Sequence, residues 1–384
     1  MAAVLALVGA IVAVEELRVV GDALERPGVD GFYATPTAPD AVDGEPGSLV
    51  KLDPLLGAPM AARAWRIMYR TTDADGDPVL STGVLVVPLT PAPARGRTVV
   101  SWAHPTTGAA RDCAPSYGFD PFVGIEGLRF LLDRGYAVVA TDYVGMGADG
   151  PDSYLVGIAG GHAVLDAARA ATAVAQADAG DRVVLWGHSQ GGQAVLFAAQ
   201  EAPVYAPELS IEAVAAAAPA ADLIGLMRAH LDDISGVTIG AYAFTAYADV
   251  YPEAPLDAIL TPAAQELVPR MNELCLLSNI GELHRIGEPL VGDFTVADPT
   301  TTEPWASLLA ENSAGATAFD APLFVAQGLA DELVVPPDTA AFARHEASLG
   351  MRVTYHEIPF ATHGTVAYLA LPAMLRWLDG VTSG

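Results

Sequence analysis

A serine stands among glycines in Gly187-His188-Ser189-Gln190-Gly191-Gly192, with the apolar run DRVVLW before it and the Ala-rich run QAVLFAAQ after it. A serine hydroxyl is a poor nucleophile until a base takes its proton. Chemistry at Ser189 therefore needs a base, an acid to orient that base, and donors for the negative charge that builds on an attacked carbonyl. The chain has 8 histidines. His363 follows the apolar stretch VTYHEIPFAT and opens a helix-prone run, as a base at the end of a strand would. His104 also follows a strand-like run, whereas His162, His345 and His356 fall on helices or within a strand. His230 and His284 lie in a separate helical stretch, and His188 is part of the hexapeptide itself. Asp331 follows LFVAQGLA and is the expected acid. Of its rivals, Asp320 precedes that run, Glu332 is one residue on, and Asp338 is placed to cap the next helix.

The elements that would position these residues show in the hydrophobic period. TVVSWAHP, YAVVATDYVGMG, RVVLWGHS, IEAVAAAAPA, APLFVAQGLADELVVP and MRVTYHEIPFATHG read as strands. Between them FVGIEGLRFLLDRG, GHAVLDAARAATAVAQA, GGQAVLFAAQE, DTAAFARHEASLG and VAYLALPAMLRWLDG read as helices. Strands that are apolar throughout, alternating with helices, imply an α/β fold whose mostly parallel sheet is covered on both faces. Ligands bind such a sheet beyond the C-terminal strand ends. Ser189, Asp331 and His363 all fall there, in the chain order of an α/β-hydrolase triad. The glycines then have a reason. The turn from strand to helix is so tight that side chains at Gly187 and Gly191 would clash, and the N–H of Gln190 at the helix start can meet an oxyanion. A second donor is expected from the loop SWAHPTTGAA. Pro105 has no N–H to give, so Thr106 is the expected donor, with Thr107 and Gly108 as alternatives.

From Asp222 to Asn312 the alternation stops, and DLIGLMRAHLDD, IGAYAFTAYADVY, LTPAAQELVPRMNELCLLSN and WASLLAENS read as helices. The expected organisation is a lead-in over 1–60, a catalytic α/β domain over 61–221 and 313–384, and a helical cap, or lid, over 222–312. WRIMYRTTDADGDPVLSTGVLVVPL reads as a hairpin. Its turn residues Asp73, Asp75 and Asp77 lack the glutamate and further ligands of a calcium loop.

A net charge of -27, from 46 acids against 19 bases, argues against nucleic-acid binding, so no nucleic-acid partner is expected, and disfavours docking on anionic membranes. With 52% hydrophobic and 17% charged residues the chain is globular. Residues 2–14 are apolar, of signal-peptide length and too short to span a bilayer. They read either as the remnant of a secretion signal or as a helix packed on the body. Cys113 and Cys275 read as one disulfide or as two buried thiols, and neither has metal-ligand spacing to a second Cys or His. Without a phosphate-binding glycine loop, no organic cofactor and no catalytic metal are expected.

VVSWAHPTTGAARDCAPS, ATDYVGMG, GHSQGGQA, QGLADELVVP and THG occur in this order around the helical stretch. Together they resemble the secretory lipase family of α/β-hydrolases, the group typified by a yeast lipase A, over roughly residues 50–380. CAPS is the most discriminating segment. The resemblance implies an α/β-hydrolase fold with an inserted cap, hydrolysis of carboxylic esters, a small-molecule ester or lipid as partner, and secretion or a cell-envelope location. It carries the catalytic roles onto Ser189, Asp331 and His363, and it implies a bridge between Cys113 and Cys275. The proline of AHPTTG departs from the family's usual HG-type loop. An acyltransferase or serine peptidase on the same scaffold is the alternative reading, and a non-catalytic binding protein is the one from another class.

Overall fold

A computed structural model describes residues 29–34, 36, 42–118 and 120–382. The apolar run expected as a signal remnant or helix, residues 2–14, lies outside the described residues. One sheet of nine strands organises the chain. In chain order these are β1 (Leu49–Pro54), β2 (Ala62–Thr72), β3 (Pro78–Pro88), β4 (Arg97–Ala103), β5 (Ala137–Val144), β6 (Ala179–His188), β7 (Ser210–Ala217), β8 (Leu323–Gly328) and β9 (Val353–Ile358). Their spatial order is β1-β2-β3-β5-β4-β6-β7-β8-β9. β1, β2, β3 and β5 pair antiparallel, and every pairing from β5 to β9 is parallel.

Two helical layers cover the sheet. α2 (Gly157–Ala173) and α3 (Gln190–Tyr205) pack on one face, while α1 (Leu128–Asp133) and α10 (His363–Val381) pack on the other. The strands serve both layers by their two-residue period. On β4, Val99 and Ala103 join the core under α2 and α3, whereas Val100 and Trp102 join the core under α1 and α10. Since β4, β5 and β8 are buried along their whole length, their sequences are apolar runs without alternation.

Between β7 and β8 the chain leaves the sheet for α4 (Leu223–His230), α5 (Ile234–Val250), α6 (Pro262–Asn272), α7 (Leu276–Gly287) and α8 (Trp305–Glu311), followed beyond β8 by α9 (Pro336–Ser348). The ends of this insertion are stitched together, with Leu223 N–H on Ser313 Oγ at 3.0 Å and Ala314 N–H on Ala221 O at 2.8 Å. A disulfide joins Cys113, in the loop after β4, to Cys275, just before α7. It interrupts what the sequence suggested as one helix over LTPAAQELVPRMNELCLLSN. Cys275 takes an extended conformation there, and its N–H is held by Asn279 Oδ1 at 3.2 Å.

The expected lead-in over 1–60 is shorter than anticipated, because Leu49–Pro54 adds β1 to the edge of the sheet. Its half-exposed residues carry little of the hydrophobic signal that marks a buried strand. The hairpin of β2 and β3 closes as a plain turn, with Asp73 Oδ1 accepting the N–H groups of Asp75 and Asp77 at 3.0 and 2.9 Å. Among the described residues, no group of three or more His, Cys, Asp and Glu is arranged to hold a metal, and no helix is long and apolar enough to cross a membrane.

Candidate active site

β6 ends at His188, the chain turns at Ser189 and α3 begins at Gln190. Ser189 has φ 56° and ψ -116°, a region that non-glycine residues rarely occupy and that persists only when its surroundings hold it. Here the surroundings are main chain. A Cβ on Gly187 would lie 2.1 Å from Gly191 O, and one on Gly191 would lie 1.9 Å from Ala103 O at the end of β4. Ser189 N–H donates to Ala217 O of β7 at 3.0 Å, and Ser189 O accepts the N–H groups of Gln193 and Ala220 at 3.1 and 3.0 Å. Neighbouring strands on both sides therefore pin the corner that presents Ser189 Oγ.

The other two strand-end residues converge on it. His363 Nε2 stands 2.9 Å from Ser189 Oγ, and His363 Nδ1–H donates to Asp331 Oδ2 at 2.9 Å. That bond to Asp331 leaves the Nε2 lone pair facing the serine hydroxyl. Asp331 is buried, and its Oδ1 accepts the N–H groups of Leu333 and Val334 at 2.9 and 3.0 Å. The loop after β8 thus orients the carboxylate. His363 is the first residue of α10, behind a capping box of Thr362 and Thr365.

The rivals sit elsewhere. Asp320 and Glu332 are exposed. Asp338 lies inside the first turn of α9 and does not cap it, because Val335 precedes the two prolines that start the helix. His345 reaches Gly315 O, and His230 reaches Asp233 and Leu333 O. His162 stacks on Tyr205 with ring centroids 3.6 Å apart. Burial pushes His104 down to about 4, so its ring is neutral, and Nδ1–H donates to Pro105 O at 2.7 Å.

In the loop after β4, Thr106 lines one small recess together with Ser189 and Gln190. Its hydroxyl shares a hydrogen bond of 2.7 Å with buried Tyr154. The two alternatives, Thr107 and Gly108, stand close to Cys113. Thr107 Oγ1 donates to Cys113 O at 2.9 Å, and a Cβ on Gly108 would lie 2.6 Å from Cys113 Sγ. Ser189 and His363 open into a cavity of about 400 Å³, walled by apolar residues such as Ile239, Tyr242 and Leu333, with Ser235 and Thr238 of α5 as polar points.

A buried pair went unnoticed in the sequence. His188 Nδ1 lies 3.1 Å from Glu126 Oε1, both side chains are nearly inaccessible, and the His188 ring is 5.0 Å from that of His363. Glu126 carries a weak signal, one acid inside the apolar run FVGIEGLRFLL, but nothing local pairs it with His188.

Comparison with known proteins gives the family and the fold. The profile of a family described as secretory lipase matches residues 125–384. Lipase 6 of Candida albicans is 26% identical over 402 residues, spanning 94% of this chain and 82% of that protein. A probable inactive lipase of Mycobacterium tuberculosis is 26% identical over 340 residues, spanning 85% and 75%. Among solved structures, Candida antarctica lipase A in its closed state superposes with a TM-score of 0.76 at 19% identity, covering 92% of this chain and 86% of that one. With the match running over most of its length and the sheet of that fold beneath it, the chain belongs to the secretory lipase family and is a carboxylic ester hydrolase of the α/β-hydrolase fold.

Proposed function

We propose that the chain hydrolyses esters through an acyl-enzyme on Ser189. The observation that carries this reading is the unbroken chain from Ser189 Oγ to His363 Nε2 and from His363 Nδ1 to Asp331, each link 2.9 Å long. His363 takes the hydroxyl proton as Oγ adds to the ester carbonyl, then returns it to the departing alcohol oxygen. Asp331 holds the ring in the productive tautomer and stabilises its cationic form. The N–H of Gln190, at the start of α3, and that of Thr106 receive the oxyanion. Water then repeats the sequence on the acyl-enzyme and releases the acid.

The apolar walls from α5 and the loop after β8 support esters with apolar acyl or aromatic groups as substrates. The helices between β7 and β8 act as the cap that supplies these walls. The acidic surface, at a net charge of -27, works against anionic substrates. The family's name, together with the apolar run at 2–14, supports export from the cell.

The test is a burst assay with p-nitrophenyl acetate on the wild type and on Ser189→Ala. We expect a burst of nitrophenolate equal to the enzyme concentration in the wild type. In the variant the burst should be absent and turnover lower by about 10⁴-fold or more. A probable inactive lipase is among the relatives. Absence of turnover in the wild type with every ester offered would place this chain in the same condition and sink the acyl-enzyme reading.

A further inference from the structure

Beside His363 lies a pair of ionisable groups that the chain from Ser189 to Asp331 does not use. His188 closes β6 one residue before Ser189, and Glu126 stands in the turn that leads into α1. His188 Nδ1 lies 3.1 Å from Glu126 Oε1, and their side chains are 3% and 6% exposed. Glu126 is also fixed through its main chain, where its carbonyl accepts Trp186 Nε1–H at 2.9 Å. Both residues belong to the wall of the catalytic cavity, and the His188 ring is 5.0 Å from the ring of His363. Asp331 and Glu126 differ in their partners. Asp331 has donors on both oxygens, the N–H groups of Leu333 and Val334 on Oδ1 and His363 on Oδ2. Glu126 has His188 on Oε1, and its Oε2 has no hydrogen-bond partner among the described residues. A buried charge that is only partly paired keeps a strong field around it.

We propose that Glu126, held by His188, is a positioning residue whose charge stabilises the imidazolium of His363 while Ser189 is acylated. The inference rests on the acyl-enzyme reading above. In that reading His363 passes from neutral to cationic as it takes the Ser189 proton. A negative charge already in place lowers the energy of that state without any rearrangement. With Nδ1–H donated to Glu126, the His188 ring is neutral and the pair carries one negative charge. The ionisable side chains that line the cavity are Glu126, His188, Tyr242, His284, His363 and Tyr368, and Asp331 is bonded to His363. Among the described residues that line it there is no lysine or arginine, so a histidine must supply the positive charge that answers Glu126. His363 is the one whose ring meets that of His188. The field of Glu126 also reaches α10, the helix that His363 opens. Burial, and after it the charge of Glu126, raise the phenol of Tyr368 on that helix above its ordinary value.

The experiment records kcat/KM for p-nitrophenyl acetate against pH in the wild type and in Glu126→Gln, which keeps the shape of the side chain and an acceptor for His188 Nδ1–H but removes the charge. Activity requires neutral His363, so the acid limb of the profile reads how firmly that ring holds a proton. Without the charge the hold weakens, and the limb should move to lower pH by about one unit. The plateau at higher pH should fall by about tenfold, because the imidazolium formed during the reaction has lost the same support. A merely structural loss would lower activity at every pH and leave the limb in place. Glu126→Asp, which retains the charge, should keep the wild-type limb. If Glu126→Gln does not fold, the double variant Glu126→Leu/His188→Phe, which removes both partners and leaves neither unpaired, takes its place with the same expected outcome. A limb that stays, or moves to higher pH, in the charge-free variant with the burst present would overturn the role of Glu126 and leave the acyl-enzyme standing. Absence of the burst in the wild type would instead overturn the acyl-enzyme reading, and this inference with it.

Discussion

Two regions meet over the same sheet edge and are built in opposite ways. The turn at Ser189 is held by backbone against backbone: glycines whose missing side chains would occupy space filled by Gly191 O and Ala103 O, and main-chain bonds to β7. The helical insertion above it adds to a few main-chain bonds a set of side-chain ties: an N-cap carboxylate on α5, a disulfide before α7, and aromatic rings such as Phe244 against Trp305 at 5.3 Å. The difference is one of tolerance. Backbone contacts leave no room for substitution and fix the reacting atoms, whereas side-chain contacts can be exchanged and so can shape a pocket to a substrate.

The sharpest way to break this contrast is Gly191→Ala. Its Cβ would stand 1.9 Å from Ala103 O, so the corner must move. On the proposed mechanism, misplacing Ser189 should lower kcat by about 10²-fold, and the overpacking should lower stability by about 1–3 kcal/mol, read from p-nitrophenyl acetate turnover and urea unfolding of one preparation. If kcat is retained, the corner is not over-determined by backbone and the comparison fails.

Cys275→Ser addresses the other region. The bridge closes a loop with a sequence separation of 162 residues, so its removal should cost about 2–5 kcal/mol of stability. Turnover of the acetate ester should change by less than about tenfold, because neither cysteine belongs to the hydrogen-bonded chain of Ser189, His363 and Asp331. Loss of acetate turnover in folded Cys275→Ser would show that the elbow depends on the insertion.

A smaller effect lies where the insertion touches the loop after β5. Asp152, in the loop after β5, accepts from Asn272 Nδ2 at 3.1 Å and from Tyr154 N–H at 3.2 Å, and its own N–H donates to Asp249 Oδ2 at 2.9 Å. Burial raises its carboxyl from 3.8 to about 6, with Asp249 adding to the rise and the bonds from Asn272 and Tyr154 opposing it. A raised value means that the fold binds the proton more tightly than the unfolded chain does. The resulting stability is complete below the unfolded value and is lost as pH rises through about 6. Between acidic and neutral pH the wild type should therefore lose roughly 1–3 kcal/mol more than Asp152→Asn. Parallel unfolding curves for the two proteins at every pH would remove Asp152 from the contact.

The smallest change is at Asp233, which caps α5 by accepting the N–H groups of Ser235 and Gly236 at 2.7 and 3.0 Å. Asp233→Ala should cost about 1 kcal/mol, seen as a modest shift of the urea midpoint, with acetate turnover preserved. A loss as large as that of Cys275→Ser would mean that the insertion hangs on this one cap.

The same contrast decides what could be read before the structure. Ser189, Asp331 and His363 could be singled out because each follows an apolar run, and the sheet brings His363 to 2.9 Å from each of the other two. Gly187 and Gly191 were found because a tight turn excludes side chains whatever surrounds it. β1 was missed since an edge strand is half exposed, and the break before α7 was missed because Pro262–Gly287 looks helical by period alone. Nothing local joined Glu126 to His188 or Thr106 to Tyr154, pairs 62 and 48 residues apart.

By itself, then, the sequence determined the parallel sheet, the order of the residues at its C-terminal edge and the shape of the elbow. These depend on strand period and on steric rules that act over a few residues. Only the tertiary structure decided which residues wall the cavity at Ser189 and what stands behind His363. Those features are made by residues from the loop after β4, α5, α7 and α10, and their meeting is set by packing and by a covalent bridge across 162 residues. No short-range pattern in the chain encodes such distances.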